Sequence, residues 1–103
     1  MSLKALIVDD EPLARARLRT LLGECKLPGV QVVAEASNAA QALTLLASQQ
    51  FDVALLDIHM PGADGMALGR TVQAMPRAPA IVFVTAHAEH AGQHPVHVSI
   101  HHG

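Results

Sequence analysis

The sequence predicts an α/β domain with a parallel sheet covered by helices on both faces. Strand-like and helix-like segments alternate three times before a fourth strand-like run, which argues for right-handed crossovers between parallel strands. The first and fourth runs, Ala5-Leu6-Ile7-Val8 and Ala80 to Val84, are apolar without alternation, as strands covered on both faces are. Half of the residues are hydrophobic but only 2% are aromatic, so Ala, Val, Leu and Ile must build the core. A chain of 103 residues has room for one such core.

Ala5 to Val8 stops at Asp9-Asp10-Glu11 and reads as the first strand. Pro12 suits the first turn of a helix, where its missing N–H costs nothing. Ala14, Leu18, Leu21 and Leu22 fall on one face of that helix and Arg15, Arg17 and Arg19 on another, read as solvated. Pro28-Gly29 ends the unit. Val30 to Glu35 reads as the second strand, and Ser37 or Asn38 can cap a helix carrying Ala39, Ala42, Leu43, Leu46 and Ala47. Phe51 to Leu56 forms a third strand ending at Asp57. A turn-rich stretch from Met60 to Gly65 follows, with Asp64 as the cap of a third helix bearing Leu68, Val72 and Met75. Pro76 and Pro79 bracket the next loop, and the fourth strand ends at Thr85.

The formal charge of -2 offers no basic footprint for nucleic acid. The single cysteine, Cys25, excludes an internal disulfide and reads as a small packed residue. No secretory leader is visible, and no apolar run approaches the ~20 residues that span a bilayer. A cytoplasmic protein without membrane contact is expected.

Ligands of open parallel sheets sit beyond the carboxyl ends of the strands, where the winding reverses. Asp9 and Asp10 follow the first strand, Asp57 the third and Thr85 the fourth. Adjacent strands lie ~4.8 Å apart, so these groups can converge on one small volume. Each alone is an ordinary strand-end or capping residue; together they point to a site. Three carboxylates there raise one another's pKa unless a cation neutralises them, and oxygen ligands in an open, hydrated site suit Mg²⁺ better than zinc. His59 reads as a solvated loop residue whose backbone carbonyl can face that cation.

Ile7-Val8-Asp9-Asp10-Glu11-Pro12, Leu55-Leu56-Asp57-Ile58-His59-Met60-Pro61-Gly62-Ala63-Asp64-Gly65 and Val84-Thr85-Ala86 resemble, in type, order and spacing, the three signature segments of bacterial two-component response-regulator receiver domains. The likeness covers about residues 4 to 91. Glu11-Pro12-Leu13-Ala14-Arg15-Ala16-Arg17-Leu18 and Phe83 to Ala91 further resemble the LytTR-type transcriptional regulators. The resemblance implies a flavodoxin-like, doubly wound parallel sheet. It implies that Asp57 is the phosphoacceptor, served by a sensor histidine kinase. Asp9, Asp10, Asp57 and the His59 carbonyl would hold Mg²⁺, and Thr85 would be the switch residue. Such a domain is no enzyme beyond weak self-phosphorylation and self-dephosphorylation.

The sequence departs from the family after Ala91. A receiver would continue through a fourth helix, a fifth strand with an aromatic residue, a Lys-Pro pair and a fifth helix. Here residues 92–103 form a divergent tail, and His94 to Gly103 holds four of the seven histidines. The expectation is a receiver domain over residues 1–91, truncated after the fourth strand, with four strands and three helices. The fifth strand and helix would be missing or replaced by the tail. The catalytic Lys of the family has no counterpart: the only lysines are Lys4 and Lys26. Lys4 lies five residues before Asp9, ~17 Å away at ~3.3 Å per residue, and Lys26 follows a helix running away from the site. Arg15 is nearer.

The missing segment should leave Ile81 to Val84 as an open edge and bare the flank of the first helix. Val96, Val98 and Ile100 alternate with His97, Ser99 and His101, the pattern of a half-buried strand. A parallel crossover from the fourth strand would need at least ~10–12 residues, so antiparallel pairing or exchange with a second copy is easier. A homo-oligomer through the fourth-strand edge and tail is therefore expected. Three other functions compete: a pseudo-receiver or interaction module unable to switch without its Lys; a haloacid-dehalogenase-like phosphohydrolase, which wants an Asp where His59 stands; and a metal site on His94, His97, His101 and His102.

Overall fold

The uninterrupted apolar runs become the centre of a sheet. The computed structural model describes residues 2–26, 29–60, 63–86 and 96–101, with the backbone alone for 63–64, 85–86 and 96–101. In chain order the elements are β1 (Ser2–Val8), α1 (Pro12–Gly23), β2 (Gly29–Ala36), α2 (Ala39–Ser48), β3 (Val53–Asp57), the short pair β4 (His59–Met60) and β5 (Ala63–Asp64), α3 (Gly65–Gln73), β6 (Ala80–Ala86) and β7 (Val96–His101). The main sheet has the order β2-β1-β3-β6-β7. Its first four strands are parallel.

Ala5, Leu6, Ile7 and Val8 are all fully buried because both faces of β1 are covered. Leu6 and Val8 share a core with Leu56, Ile81 and Phe83 and with Ala42, Leu68 and Val72 of α2 and α3. Ala5, Ile7, Leu55 and Val84 face the other way, toward Leu18 and Leu22 of α1. That second layer is thin. No residue of α1 is fully buried, and Leu21, expected on its packed face, is 46% exposed. One helix spans only part of the sheet face, leaving a groove of about 330 Å³ bordered by Leu18, Leu21, Leu22, Val53, Leu55 and Val82. Cys25, just beyond the end of α1 at the margin of this groove, is likewise exposed rather than packed.

Between the two expected caps of α2, Asn38 takes the role. Its Oδ1 accepts the Gln41 N–H at 2.8 Å, while Gln41 Oε1 accepts the Ser37 N–H at 2.8 Å. This reciprocal arrangement satisfies two otherwise orphaned donors. Asn38→Ala is expected to cost about 1 kcal/mol, seen as a lower urea midpoint at an unchanged slope.

β3 begins at Val53, two residues later than expected from the apolar pattern. The Lys4 N–H donates to Asp52 Oδ2 at 2.7 Å and the Asp52 N–H to the Lys4 carbonyl at 2.8 Å. These bonds tie the loop entering β3 to β1 and set Lys4 and Asp52 at the end of the sheet opposite Asp57.

The expected open edge at Ile81 to Val84 is closed. β7 pairs antiparallel with β6 from Ile81↔His101 to Ala86↔Val96. The short connection forbids a parallel crossover but permits a reversal of direction, so the tail takes the fifth position in the sheet. The β6 edge that a second copy would have covered is thus paired within the chain.

Candidate functional site

β1 lies between β2 and β3, with the chain leaving it in one direction and returning across it to continue in the other. This reversal opens a crevice at the carboxyl ends of β1 and β3. Val8 pairs with Leu56, so Asp9 and Asp57 emerge at the same level. Carboxylate oxygens of Asp9, Asp10 and Asp57 all lie within 4.8 Å of one another. Sequence reasoning expects these three to converge, and the fold brings them together.

Two of the carboxylates are fixed by local backbone. Asp9 Oδ1 accepts the Glu11 N–H at 2.9 Å, and Asp57 Oδ1 accepts the His59 N–H at 3.0 Å. Asp9 is buried at 6% exposure, whereas Asp10 and Asp57 are half-buried. Burial is the main reason the Asp9 carboxyl is pushed up to about 6 from an ordinary 3.8. The Glu11 N–H opposes that rise, and the charges of Asp57, Asp10 and Glu11 add to it. Clustered anions in a partly desolvated crevice favour a bound cation. The donor set is oxygen throughout and open to solvent on the Asp10 and Asp57 side, which fits a hard divalent ion such as Mg²⁺.

Gly65 holds the floor of the crevice. The Ile58 N–H donates to the Val84 carbonyl at 3.2 Å, and the Gly65 N–H to the Ile58 carbonyl at 3.4 Å. A Cβ at Gly65 would fall on the Asp57 carbonyl oxygen and lie 2.8 Å from Ile58 Cα. Only glycine lets α3 start this close to the Asp57–Ile58 backbone.

The other expected residues are placed less fully. His59 is exposed beside Asp57. Thr85 stands one residue past Val84, the register partner of Asp57, with its backbone alone described. α3 starts directly after Asp64, as expected, though the Asp64 side chain lies outside the described atoms. Of the tail histidines, His97 and His101 are described by backbone alone, and His94 and His102 lie outside the described residues. Lys4 and Lys26 are both remote from the crevice: Lys26 forms a bridge with Gly29 at the start of β2.

One neighbour of the site departs from the sequence expectation. Helical spacing sets Arg15 on a solvated face with Arg17 and Arg19, yet its Nη1 donates to the Asp9 carbonyl at 2.7 Å and its Nε to Glu35 Oε1 at 3.1 Å. The available signal is the i, i+4 pair Arg15 and Arg19, which both reach Glu35 at the end of β2.

Comparison with known proteins settles the family. Residues 5–97 match the model of the response regulator receiver domain. The chain belongs to this family. As a receiver domain it is 43% identical over 91 residues to the transcriptional regulatory protein LytR of Staphylococcus aureus, covering 88% of this chain and 36% of that protein. It is 48% identical over 90 residues to the positive alginate biosynthesis regulatory protein of Pseudomonas aeruginosa, covering 86% of this chain and 36% of the relative. Both relatives are LytTR-type regulators, as the sequence segments imply. The receiver thus spans about a third of the length of these curated relatives. Among solved structures it resembles the response regulatory domain of mrkE from Klebsiella pneumoniae, with a TM-score of 0.71 and 33% identity over 85% of this chain and 70% of that one. The receiver domain of NarL from Mycobacterium tuberculosis gives 0.73 and 34% over 87% and 71%. The flavodoxin-like fold expected from the sequence is the one found. Receiver domains are typically non-catalytic phosphoacceptors that bind Mg²⁺ through acidic residues and interact with sensor kinases.

Proposed function

We propose that Asp57 accepts a phosphoryl group from a phosphohistidine of a sensor histidine kinase. The parent protein is then a cytoplasmic, DNA-binding transcriptional regulator, a role supported by the names of its relatives. With a net charge of -2, this receiver itself makes no direct contact with nucleic acid. The observation that carries the reading is the convergence of Asp9, Asp10 and Asp57 beyond the carboxyl ends of β1 and β3.

A carboxylate oxygen of Asp57 attacks the phosphorus. The new O–P bond forms as the P–N bond breaks, and the imidazole leaves with the electron pair. Asp10 and Asp57 would hold Mg²⁺ directly, Asp9 would bind or orient it, and the His59 carbonyl would complete the protein ligands. When bound, the metal spreads the charge of the transferring group. The Thr85 hydroxyl then donates a hydrogen bond to a phosphoryl oxygen, drawing the end of β6 inward as the switch.

One observation favours a second reading, that of a pseudo-receiver. Neither lysine lies near the crevice, so a phosphoryl group on Asp57 would lack the cation that links it to the switch. Incubation with radiolabelled acetyl phosphate and Mg²⁺ separates the two. Phosphoacceptor chemistry predicts acid-stable, base-labile label on the unsubstituted chain, none on Asp57→Asn, and full label on Asp52→Asn. Label on Asp57→Asn would end the phosphoacceptor reading, and an unlabelled but Mg²⁺-binding chain would establish the pseudo-receiver.

A further inference from the structure

We infer that Arg15 is a positioning residue for the metal site, holding the Asp9–Glu11 loop from outside without itself touching metal or phosphate. The inference rests on the receiver reading of the acidic crevice and extends it to a residue that none of the family's signature roles includes.

The loop after β1 must present two carboxylates at one point while passing from strand to helix. Three ties fix it. The Asp9 N–H donates to the Ala36 carbonyl at 3.0 Å, fastening the loop to the end of β2. The Glu11 N–H donates to Asp9 Oδ1 at 2.9 Å, fixing the Asp9 side chain. The third is Arg15 Nη1, at 2.7 Å from the Asp9 carbonyl. The first two hold the Asp9 N–H and side chain; the third engages the carbonyl of the Asp9–Asp10 peptide directly.

The guanidinium is itself held. Its Nε donates to Glu35 Oε1 at 3.1 Å, and Glu35 Oε2 accepts from Arg19 Nη1 at 2.6 Å. Only 19% of the Arg15 side chain is exposed. Glu35 lies next to Ala36 at the end of β2, so one carboxylate braces the arginine against the strand to which Asp9 is bonded. A planar, forked donor can join a carbonyl and a carboxylate at once, which an ammonium on a flexible stem does poorly. Outer partners of this kind commonly change metal affinity by about 10–100-fold.

Charge and geometry make opposite predictions here. As a point charge, Arg15 repels a divalent cation, and its removal would tighten Mg²⁺ binding. As a positioning residue, its removal lets the Asp9–Asp10 peptide rotate and weakens binding. The experiment is calorimetric titration of the intact chain with Mg²⁺ at pH 7.5, with thermal melts run alongside. Arg15→Ala is expected to weaken Mg²⁺ binding about tenfold. Arg15→Lys, which keeps the charge and loses the fork, should also weaken it, by about half as much on a logarithmic scale. Glu35→Gln keeps one acceptor but removes the charge and the second acceptor of the brace; it should give a smaller loss in the same direction, and it serves as the measurement should Arg15→Ala fold poorly. Amide shifts of Asp10 and Glu11 in the metal-free Arg15→Lys chain should move as well. Unchanged or tighter Mg²⁺ binding in Arg15→Ala and Arg15→Lys, with the unsubstituted chain binding normally, would overturn the assignment alone. Failure of the unsubstituted chain to bind Mg²⁺ would overturn it together with the receiver reading of the crevice.

Discussion

Replacing Gly65 with alanine should destabilise the domain by about 2 kcal/mol and slow phosphate incorporation at Asp57 by tenfold or more. A methyl group added at Gly23 meets open space and one at Gly29 only the Ser2 hydroxyl at 3.8 Å. At Gly65 the methyl meets backbone: the Asp57 carbonyl oxygen and Ile58 Cα. Relief requires α3 to lift or the end of β3 to shift. Lifting α3 disturbs Leu68 and Val72, which are buried against the sheet. Shifting β3 strains the Ile58 N–H bond to Val84 and displaces Asp57, which on the proposed reading must align with an incoming phosphoryl group. The better helix propensity of alanine recovers little, because Gly65 is the first residue of α3. Urea unfolding gives the stability change as a lower midpoint at constant slope, and labelling rates in the folded region give the kinetic one. A midpoint within experimental scatter of the unsubstituted chain would show that β3 yields freely.

What the sequence can reveal here follows from how local each cause is. β1 and β6 are legible because a strand covered on both faces needs an unbroken apolar run, and few other elements do. The convergence of Asp9, Asp10 and Asp57 is legible because a parallel α/β alternation fixes which strand ends share a rim. The start of β3 is not, since Phe51 is apolar and buried yet belongs to a loop held by the Lys4–Asp52 bonds, a contact 48 residues apart. Arg15 escapes sequence reading for a related reason. Helical spacing places it with Arg17 and Arg19, but its partners Asp9 and Glu35 lie at the ends of two different strands, and only the β2-β1 adjacency brings them within reach.

The tail shows another limit. Its alternating Val96, Val98 and Ile100 mark a strand, and the shortness of the connection excludes a parallel crossover. Those two facts leave two outcomes, pairing with its own β6 or exchange with a second copy. Pattern and loop length are the same in both. The choice depends on whether the chain can reverse between residues 86 and 96, and the pairing of Ala86 with Val96 shows that it does.

Asp9→Asn should make the metal-free domain more stable at pH 7, by about 1–2 kcal/mol, while weakening its Mg²⁺ binding at least tenfold. The carboxyl of Asp9 sits at about 6 in the folded chain against an ordinary 3.8, with burial as the largest cause. An acid whose folded value lies above its unfolded one binds its proton more tightly when folded. Its ionisation therefore opposes folding above pH 6, and the opposition fades as pH falls from about 6 to 4. Below that window both states are protonated and the penalty is gone. Asparagine cannot ionise, and its Oδ1 can still accept the Glu11 N–H that Asp9 Oδ1 accepts now. In a chelator, melting curves of the two chains should separate at pH 7 and close together near pH 4. Saturating Mg²⁺ should reverse the order at pH 7, because only the unsubstituted chain gains the full stabilisation of ligand binding. That gain should itself decline as pH drops through 6, where protons compete for Asp9. A constant difference between the chains from pH 4 to 7, or an Asp9→Asn chain that Mg²⁺ stabilises as strongly as the original, would show that Asp9 bears neither the burial penalty nor a share of the metal.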